Sequence, residues 1–326
     1  MVMSRNLFYI ILLQLIVSCA PLAQIRDKND LLAYIPQTQE QTLLARNLPL
    51  FIIEKPDKPY NRIGTPTVAL TAEGEGRVFV SHREATIYQE ERKFRTARDS
   101  YSNLIYRIHF SKTPYDFFPF QIGAGKNVGL FVIVTLNSTN KPVLYTTVHT
   151  CGCYLAFFPT TYLPSDAYPP DWPPNKQVVY SMILPSQLDP KDKTNSTLTI
   201  LIRDASHRVQ DIWLSTREMS KPYATTPVAT RPLASLEALP IDGGNRTTSF
   251  YETSGERTGY VKESHKLLER LLMSWWSFDW KIGEDKRLGR SNDEPPIFFT
   301  SLKPWARDRS DMRDFPVFLA YWGWTL

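Results

Sequence analysis

The chain has 326 residues, with 38 lysines and arginines against 33 aspartates and glutamates, for a formal net charge of +5. That excess is mild, and no Lys/Arg block with interleaved aromatics appears, so a nucleic-acid partner is not expected. The apolar and charged fractions, 42% and 22%, are those of an ordinary globular protein, and 25 prolines against 14 glycines imply many fixed turns.

The amino terminus divides cleanly. Met1 to Asn6 carries one positive charge, Arg5, and Leu7 to Val17 is apolar except for Gln14. That run is far shorter than the ~20 residues a membrane-spanning helix needs, so it reads as the apolar core of a signal peptide. It closes in Leu15-Ile16-Val17-Ser18-Cys19-Ala20. Aliphatic, variable, small, cysteine: this resembles the lipobox of bacterial lipoproteins. The resemblance implies removal of residues 1–18, acyl chains on Cys19, and a mature chain tethered to a membrane by lipid at about 0.8 kcal/mol per buried CH₂. It also implies that Ala20, where an aspartate is associated with inner-membrane retention, leads to the outer membrane, facing the periplasm. Residues 19–37 then form the tether and 38–326 a single globular domain. An uncleaved anchor or a plain secretory signal is the rival reading. No later apolar run approaches a membrane span.

Along the body, Thr38 to Arg46 has helical character and Pro49 stops it. Leu50 to Ile53 and Val78 to Val80 read as strands. Ile87, Glu91, Phe94, Ala97, Tyr101 and Leu104/Ile105 recur at three- and four-residue steps, which predicts a helix. Strand at both ends is the alternative, because Tyr106 to Phe110 alternates. A hairpin follows, Val128 to Leu136 and Val143 to Val148 around the turn at residues 137–141. Its first strand is almost wholly apolar, as expected of a central strand covered on both faces. Pro159 to Pro174 is an irregular loop and Gln177 to Leu184 a strand. Thr197 to Ile202 and Val209 to Leu214 form a second hairpin. Residues 219–260, rich in Pro, Thr and Gly, hold a short helix near Leu233 to Leu239 and the one weak candidate domain boundary. Val261 to Trp276 predicts a helix whose core face carries Val261, His265, Leu268, Leu272 and Trp275/Trp276.

The chemistry concentrates in His149, Cys151 and Cys153. In an extended strand residues two apart share a face, so three soft or borderline ligands would converge, a set suited to zinc or copper. His82, His109 or His207 would supply a fourth ligand. A Cys151–Cys153 disulfide, bent through Gly152, is the first rival, and two buried free thiols beside a satisfied histidine the second. With Cys19 lipidated, the remaining cysteines are an even pair, as an oxidising compartment favours. Tyr162, Asp166, Tyr168, Asp171 and Trp172 form a second candidate site: aromatics with carboxylates suit a sugar or other polar ligand, or simply a rigid loop over the sheet. The stretch Gly123-Ala124-Gly125-Lys126-Asn127-Val128 fits neither a dinucleotide fingerprint nor a phosphate-binding loop.

These readings converge on an α+β body: a mainly antiparallel sheet with two β-hairpins and several packed helices. The function they support is non-catalytic, a lipid-anchored periplasmic protein that binds or scaffolds an envelope protein or small ligand. The alternative is a thiol- or metal-dependent enzyme centred on His149, Cys151 and Cys153.

Overall fold

The computed structural model describes residues 30–37, 41–72, 74–116, 120–190, 196–216, 223–241 and 246–326. The expected leader, Cys19 and the first part of the expected tether lie outside them. The tether as read from sequence also ran too far. Leu31 onward is not linker but strand β1 (Leu31–Pro36), which pairs on both edges.

The chain is mostly β, not α+β: strand accounts for 42% and helix for 15%. In chain order β1 is followed by helix α1 (Leu43–Arg46), β2 (Leu50–Glu54), β3 (Thr65–Leu70), β4 (Gly76–Ser81), β5 (Thr86–Arg95), β6 (Ser100–Thr113) and β7 (Gly125–Leu136). Then come β8 (Pro142–His149), β9 (Ala156–Pro159), β10 (Lys176–Val179), β11 (Met182–Pro185), β12 (Thr197–Ile202) and β13 (Val209–Ser215). The last part carries β14 (Ala224–Pro232), β15 (Leu239–Pro240), β16 (Thr247–Thr248), α2 (Leu267–Ser277) and α3 (Phe315–Tyr321). Ten strands form one curled mixed sheet in the order β13-β12-β2-β1-β14-β5-β6-β7-β8-β9.

Most of the missing α content is the segment around residues 87–105. It forms β5 and β6, paired from Tyr88↔Arg107 to Arg95↔Ser100 and turned through Thr96 to Asp99. Phe94 stacks on its cross-strand partner Tyr101 at 5.2 Å. The helical spacing of Ile87, Glu91 and Phe94 is outweighed by this cross-strand pairing, because sheet context overrides a local period. Gln177 to Leu184 is also not one strand but the hairpin β10–β11, with Tyr180 and Ser181 at φ 46° and 74°. Two consecutive positive φ values make the tight turn that Asn-Gly usually signals. Residues 219–260 do more than link. β14 runs parallel to both β1 and β5 and joins the two halves of the sheet.

Strand alternation sorts the core. Tyr106, Ile108, Phe110, Leu130, Val132 and Val134 face inside the curl, where Tyr34, Phe51, Ile53, Ile200 and Ile202 meet them. The intervening residues Tyr88, Ile105, Phe131 and Ile133 face the other way, and Phe298, Phe315, Phe318 and Trp324 of the last eighty residues cover them. β7 is buried on both faces, as its composition predicts.

The expected helix from Val261 starts only at Leu267. Val261 N–H is bonded to Asp285 O and Lys262 N–H to Phe250 O, while Glu263 sits at φ 62°, so the preceding residues cannot continue a helix. Its faces are also reversed. Glu269, Ser274 and Ser277 are buried, whereas Leu272, Trp275 and Trp276 are exposed. His265, expected in the core, lies at the surface beside Glu284 at 3.4 Å.

Candidate functional site

β8 ends at His149, and the chain reverses at once. Gly152 N–H bonds His149 O at 2.8 Å, and His149 N–H bonds Cys153 O at 2.9 Å. The straight strand assumed for His149, Cys151 and Cys153 therefore does not exist. Cys151 and Cys153 sit in a turn, both as free thiols, with Cys153 N–H directed at Cys151 Sγ at 3.4 Å. His149 turns elsewhere and donates from Nε2 to His207 O at 3.0 Å. Among the described residues no group of three or more His, Cys, Asp or Glu side chains is gathered to hold a metal.

Two of the three histidines considered as a fourth ligand have structural partners. His207 donates to Tyr60 O and stacks on Phe110 at 4.0 Å. His109 accepts from Arg107 Nε at 2.8 Å, and His82 is exposed. Burial holds His149 down to about 4 and His207 to about 3, and with Arg107 close by it drives His109 well below the usual imidazole range.

Gly152 makes the turn feasible. It lies at φ 93°, and a Cβ there would come within 2.2 Å of Phe299 O. Because the obstacle is backbone, Gly152→Ala should destabilise the protein by about 2–3 kcal/mol. A denaturant midpoint that barely moved would count against this geometry.

Under the turn is a cavity of about 260 Å³. Cys151 and Cys153 line it, together with Tyr154, Tyr180, Arg208, and Glu269 and Met273 from α2. Ile282, Phe299 and Leu302 make the remaining wall apolar. Arg208 spans the rim, its guanidinium 4.1 Å from the Tyr154 ring and its Nη2 2.6 Å from the Tyr154 hydroxyl. A wider groove of about 500 Å³ at β5 and β6 is lined by half-buried and exposed charges, the Glu90–Arg92 ion pair among them, and holds neither thiol nor fully buried carboxyl.

Two ionisable groups beside the cavity each have a buried polar atom with no hydrogen bond among the described residues. Glu269 is buried, and its Oε2 has no hydrogen bond among the described residues. It fits only because Gly283 has no side chain, since a Cβ there would overlap the carboxylate. Burial raises its pKa, so it holds its proton longer than a solvated glutamate. Lys286 is fully buried, its Nζ is likewise unpartnered, and it lies 3.8 Å from the Phe299 ring centre. Burial lowers its pKa, an effect that Cys151 and Cys153 partly counter.

Behind this pair Asp285 is fully bonded. Thr150 Oγ1 and Ser264 Oγ donate to its two oxygens, and Lys266 Nζ stands 3.2 Å away. Burial alone would lower the Lys266 pKa, but Asp285 and the other negative neighbours outweigh it and the net change is upward. The backbone of residues 285–287 then stitches the floor to its neighbours through Lys286 N–H to Thr150 O at 2.8 Å and Arg287 N–H to Gly259 O at 2.8 Å.

The hydrogen bond to Cys151 and burial together hold the Cys153 thiol well above its ordinary value. Such a thiol is mostly protonated near neutral pH and is a poor nucleophile. The site thus offers an apolar chamber with a buried carboxyl and, at Cys153, a quiet thiol, which suits holding a molecule better than attacking one.

The second sequence candidate is not part of this chamber. Tyr168 and Trp172 pack on Trp324 at 5.5 and 4.8 Å, and the Trp172 indole donates to Ser186 O. Asp166 takes a bidentate contact from Arg98, Tyr162 lies under Lys141, and Asp171 is exposed. These residues form an aromatic cover over the carboxyl-terminal core. The sequence reading did not single out Glu269, Lys286, Arg208 or Met273. Glu269 on the apolar-looking helix was the available signal, a carboxylate amid leucines.

No protein-family model, curated protein or solved structure matches the chain.

Proposed function

We propose that this protein is an envelope protein held to the outer membrane by lipid on Cys19, and that its body binds a small amphiphilic ligand in the cavity beneath the Cys151–Tyr154 turn. The amino-terminal motif supports the address. The observation that carries the binding reading is the apolar chamber of about 260 Å³ into which a buried, unpartnered carboxyl group projects. An apolar pocket with a few convergent polar groups and perturbed titratable residues is the ordinary form of a ligand site. The ligand class follows from the walls: an apolar body, a polar end able to hydrogen-bond the Glu269 carboxyl, and a rim charge at Arg208.

Thermal shift of the purified chain against short-chain carboxylates, alcohols and amines tests this. At least one class should raise Tm by about 2 °C or more at saturation. Met273→Trp, which fills the chamber from α2, should abolish that shift while leaving the unliganded Tm nearly unchanged. Silence across the whole panel would remove the binding reading.

The thiol-dependent alternative has one observation in its favour, two free thiols lining one cavity. Alkylation by monobromobimane separates the two. Cys153 should react at least about tenfold slower than free cysteine, since each unit of raised pKa removes tenfold of the thiolate. A rate above that of free cysteine would favour the enzyme.

A further inference from the structure

Helix α2 is inside out for a water-soluble protein. Leu267, Leu271 and Trp275 recur every fourth residue, with Leu272 and Trp276 beside them, and this stripe faces solvent. Trp275 is 73% exposed. The opposite side buries Glu269, Ser274 and Ser277. An amphipathic helix normally turns its apolar stripe to the core, so this one is built to meet something apolar outside.

The patch continues past the helix. Phe278 is 80% exposed and Trp280 is 68% exposed, with the Arg270 guanidinium 5.3 Å from the Trp280 ring. Trp305 is 75% exposed on a loop pinned beside the helix end, where Arg307 Nη2 donates to Ser277 O and pairs with Asp279 at 3.8 Å. Four of the chain's eight tryptophans therefore stand on one surface.

We propose that this face, the outer stripe of α2 with Phe278, Trp280 and Trp305, lies in the interfacial plane of a lipid bilayer and sets the body's orientation on the membrane. Three observations single out lipid over a protein partner. The composition is that of an interfacial belt, where tryptophan rings sit at headgroup depth with leucine and phenylalanine below. Cations border it, with Arg270 over the Trp280 ring, Lys281 next to Trp280 in the chain and Arg307 at the helix end, against Asp279, which Arg307 binds, and Glu256, which meets Lys281 at 3.9 Å; anionic headgroups attract such side chains. Eleven residues separate Cys19 from Leu31, a reach of at most about 43 Å over twelve steps, so a lipidated terminus would hold the start of the body within that distance of the bilayer. The helix, eleven residues, is too short to span and would lie flat.

A tether alone leaves the body free to tumble. Docking through α2 would bring the chamber wall formed by Glu269 and Met273, on the same helix, to the membrane surface. This deepens the lipid-anchored reading and rests on it only for the third observation.

The test uses the full chain, with and without Cys19→Ser, on vesicles of phosphatidylethanolamine and phosphatidylglycerol whose acyl chains carry bromine near the headgroup. The bromines should quench up to about half of the tryptophan emission, since half of the rings lie on the patch. Leu271→Glu with Trp280→Glu should remove most of that quenching. Both positions are exposed, so circular dichroism and Tm should stay as in the parent.

If Cys19→Ser abolishes flotation with vesicles but the tethered parent shows no quenching, docking is refuted and the anchor stands. If flotation survives Cys19→Ser and is lost only in the double variant, docking stands and the anchor falls. A chain that never associates with vesicles overturns both. Patch-dependent dimers in sedimentation, with emission unquenched, would assign the face to a second copy and overturn the lipid proposal.

Discussion

Replacing Arg107 by alanine should destabilise the protein by about 4–5 kcal/mol, a large fraction of an ordinary domain's stability. Arg107 projects from β6 and is wholly buried, and among the described residues no carboxylate forms an ion pair with it. Its Nε donates to His109, and its Nη1 donates to the Tyr251 hydroxyl at 2.9 Å and to Lys286 O at 3.1 Å. The rings of Phe131, Tyr251 and Phe250 surround the guanidinium at 4.9, 5.4 and 5.8 Å. Burial lowers its pKa, yet a guanidinium stays charged in a protein, and the aromatic faces supply part of the lost solvation. Truncation would open a large void and leave three buried polar groups without their partner. Arg107→Met retains most of the volume and removes the buried charge, so it should cost roughly half as much. Because Arg107 holds the Lys286 carbonyl, the alanine variant should also loosen the chamber floor and speed bimane labelling of Cys153. Denaturant melts of both variants settle the order. An alanine variant within about 1 kcal/mol of the parent would mean the guanidinium holds little together.

Arg107 also shows why only part of this protein was legible in the sequence. Strands with a strong local pattern were readable: β7 from its unbroken apolar run, the β7–β8 and β12–β13 hairpins from β-branched alternation around polar turns. β5 was not, because its apolar residues fall at a spacing that also suits a helix, and the deciding contacts come from β6. β14 was hidden in a Pro- and Thr-rich stretch because its two neighbours, β1 and β5, lie far away in sequence. The site follows the same division. Cys151 and Cys153 were visible as a pair, but a two-residue spacing says nothing about chain direction, and the turn at Gly152 moved His149 away from them. Glu269 and Lys286 became site residues only through the reversed helix and the 282–286 segment folding beneath the turn, and no local rule places those two segments side by side. The reversed face of α2 illustrates the limit best: periodicity found an apolar stripe but could not tell a face turned to the core from one turned to solvent.

Acid should unfold the region around the chamber first. His149 and His207 are buried and neutral, held near 4 and 3 by burial, against an ordinary value of 6.5. In this window the unfolded chain takes up a proton at each site and the folded chain does not. Stability is therefore intact above pH 6.5 and falls as the pH drops toward 4. Each such histidine contributes a slope of about 1.4 kcal/mol per pH unit, so the two together give about 2.8. His109, pushed down by its own burial and by Arg107, adds to the slope in the same direction. Glu269 acts oppositely, since a carboxyl with a raised folded pKa gains stability on acidification, and it offsets part of the loss. The histidines win because they are three against one. The consequence is local as well as global. His149 ties the end of β8 to His207 O, and His207 ties its own turn, which also carries Arg208, to Tyr60. Charging either ring keeps its Nε2–H bond but places an unsolvated charge inside the frame of the chamber rather than at a remote surface. On lowering the pH from 7 to 5, labelling of Cys151 and Cys153, normalised to free cysteine at each pH, should rise before circular dichroism reports global unfolding. Tm should fall by roughly 5–10 °C over the same range for a domain of this size. Equal Tm at pH 7 and pH 5 would show that these histidines are not held neutral, and the buried frame would need another explanation. His207→Asn, which cannot take up a proton, should flatten the profile even where it costs some stability at neutral pH.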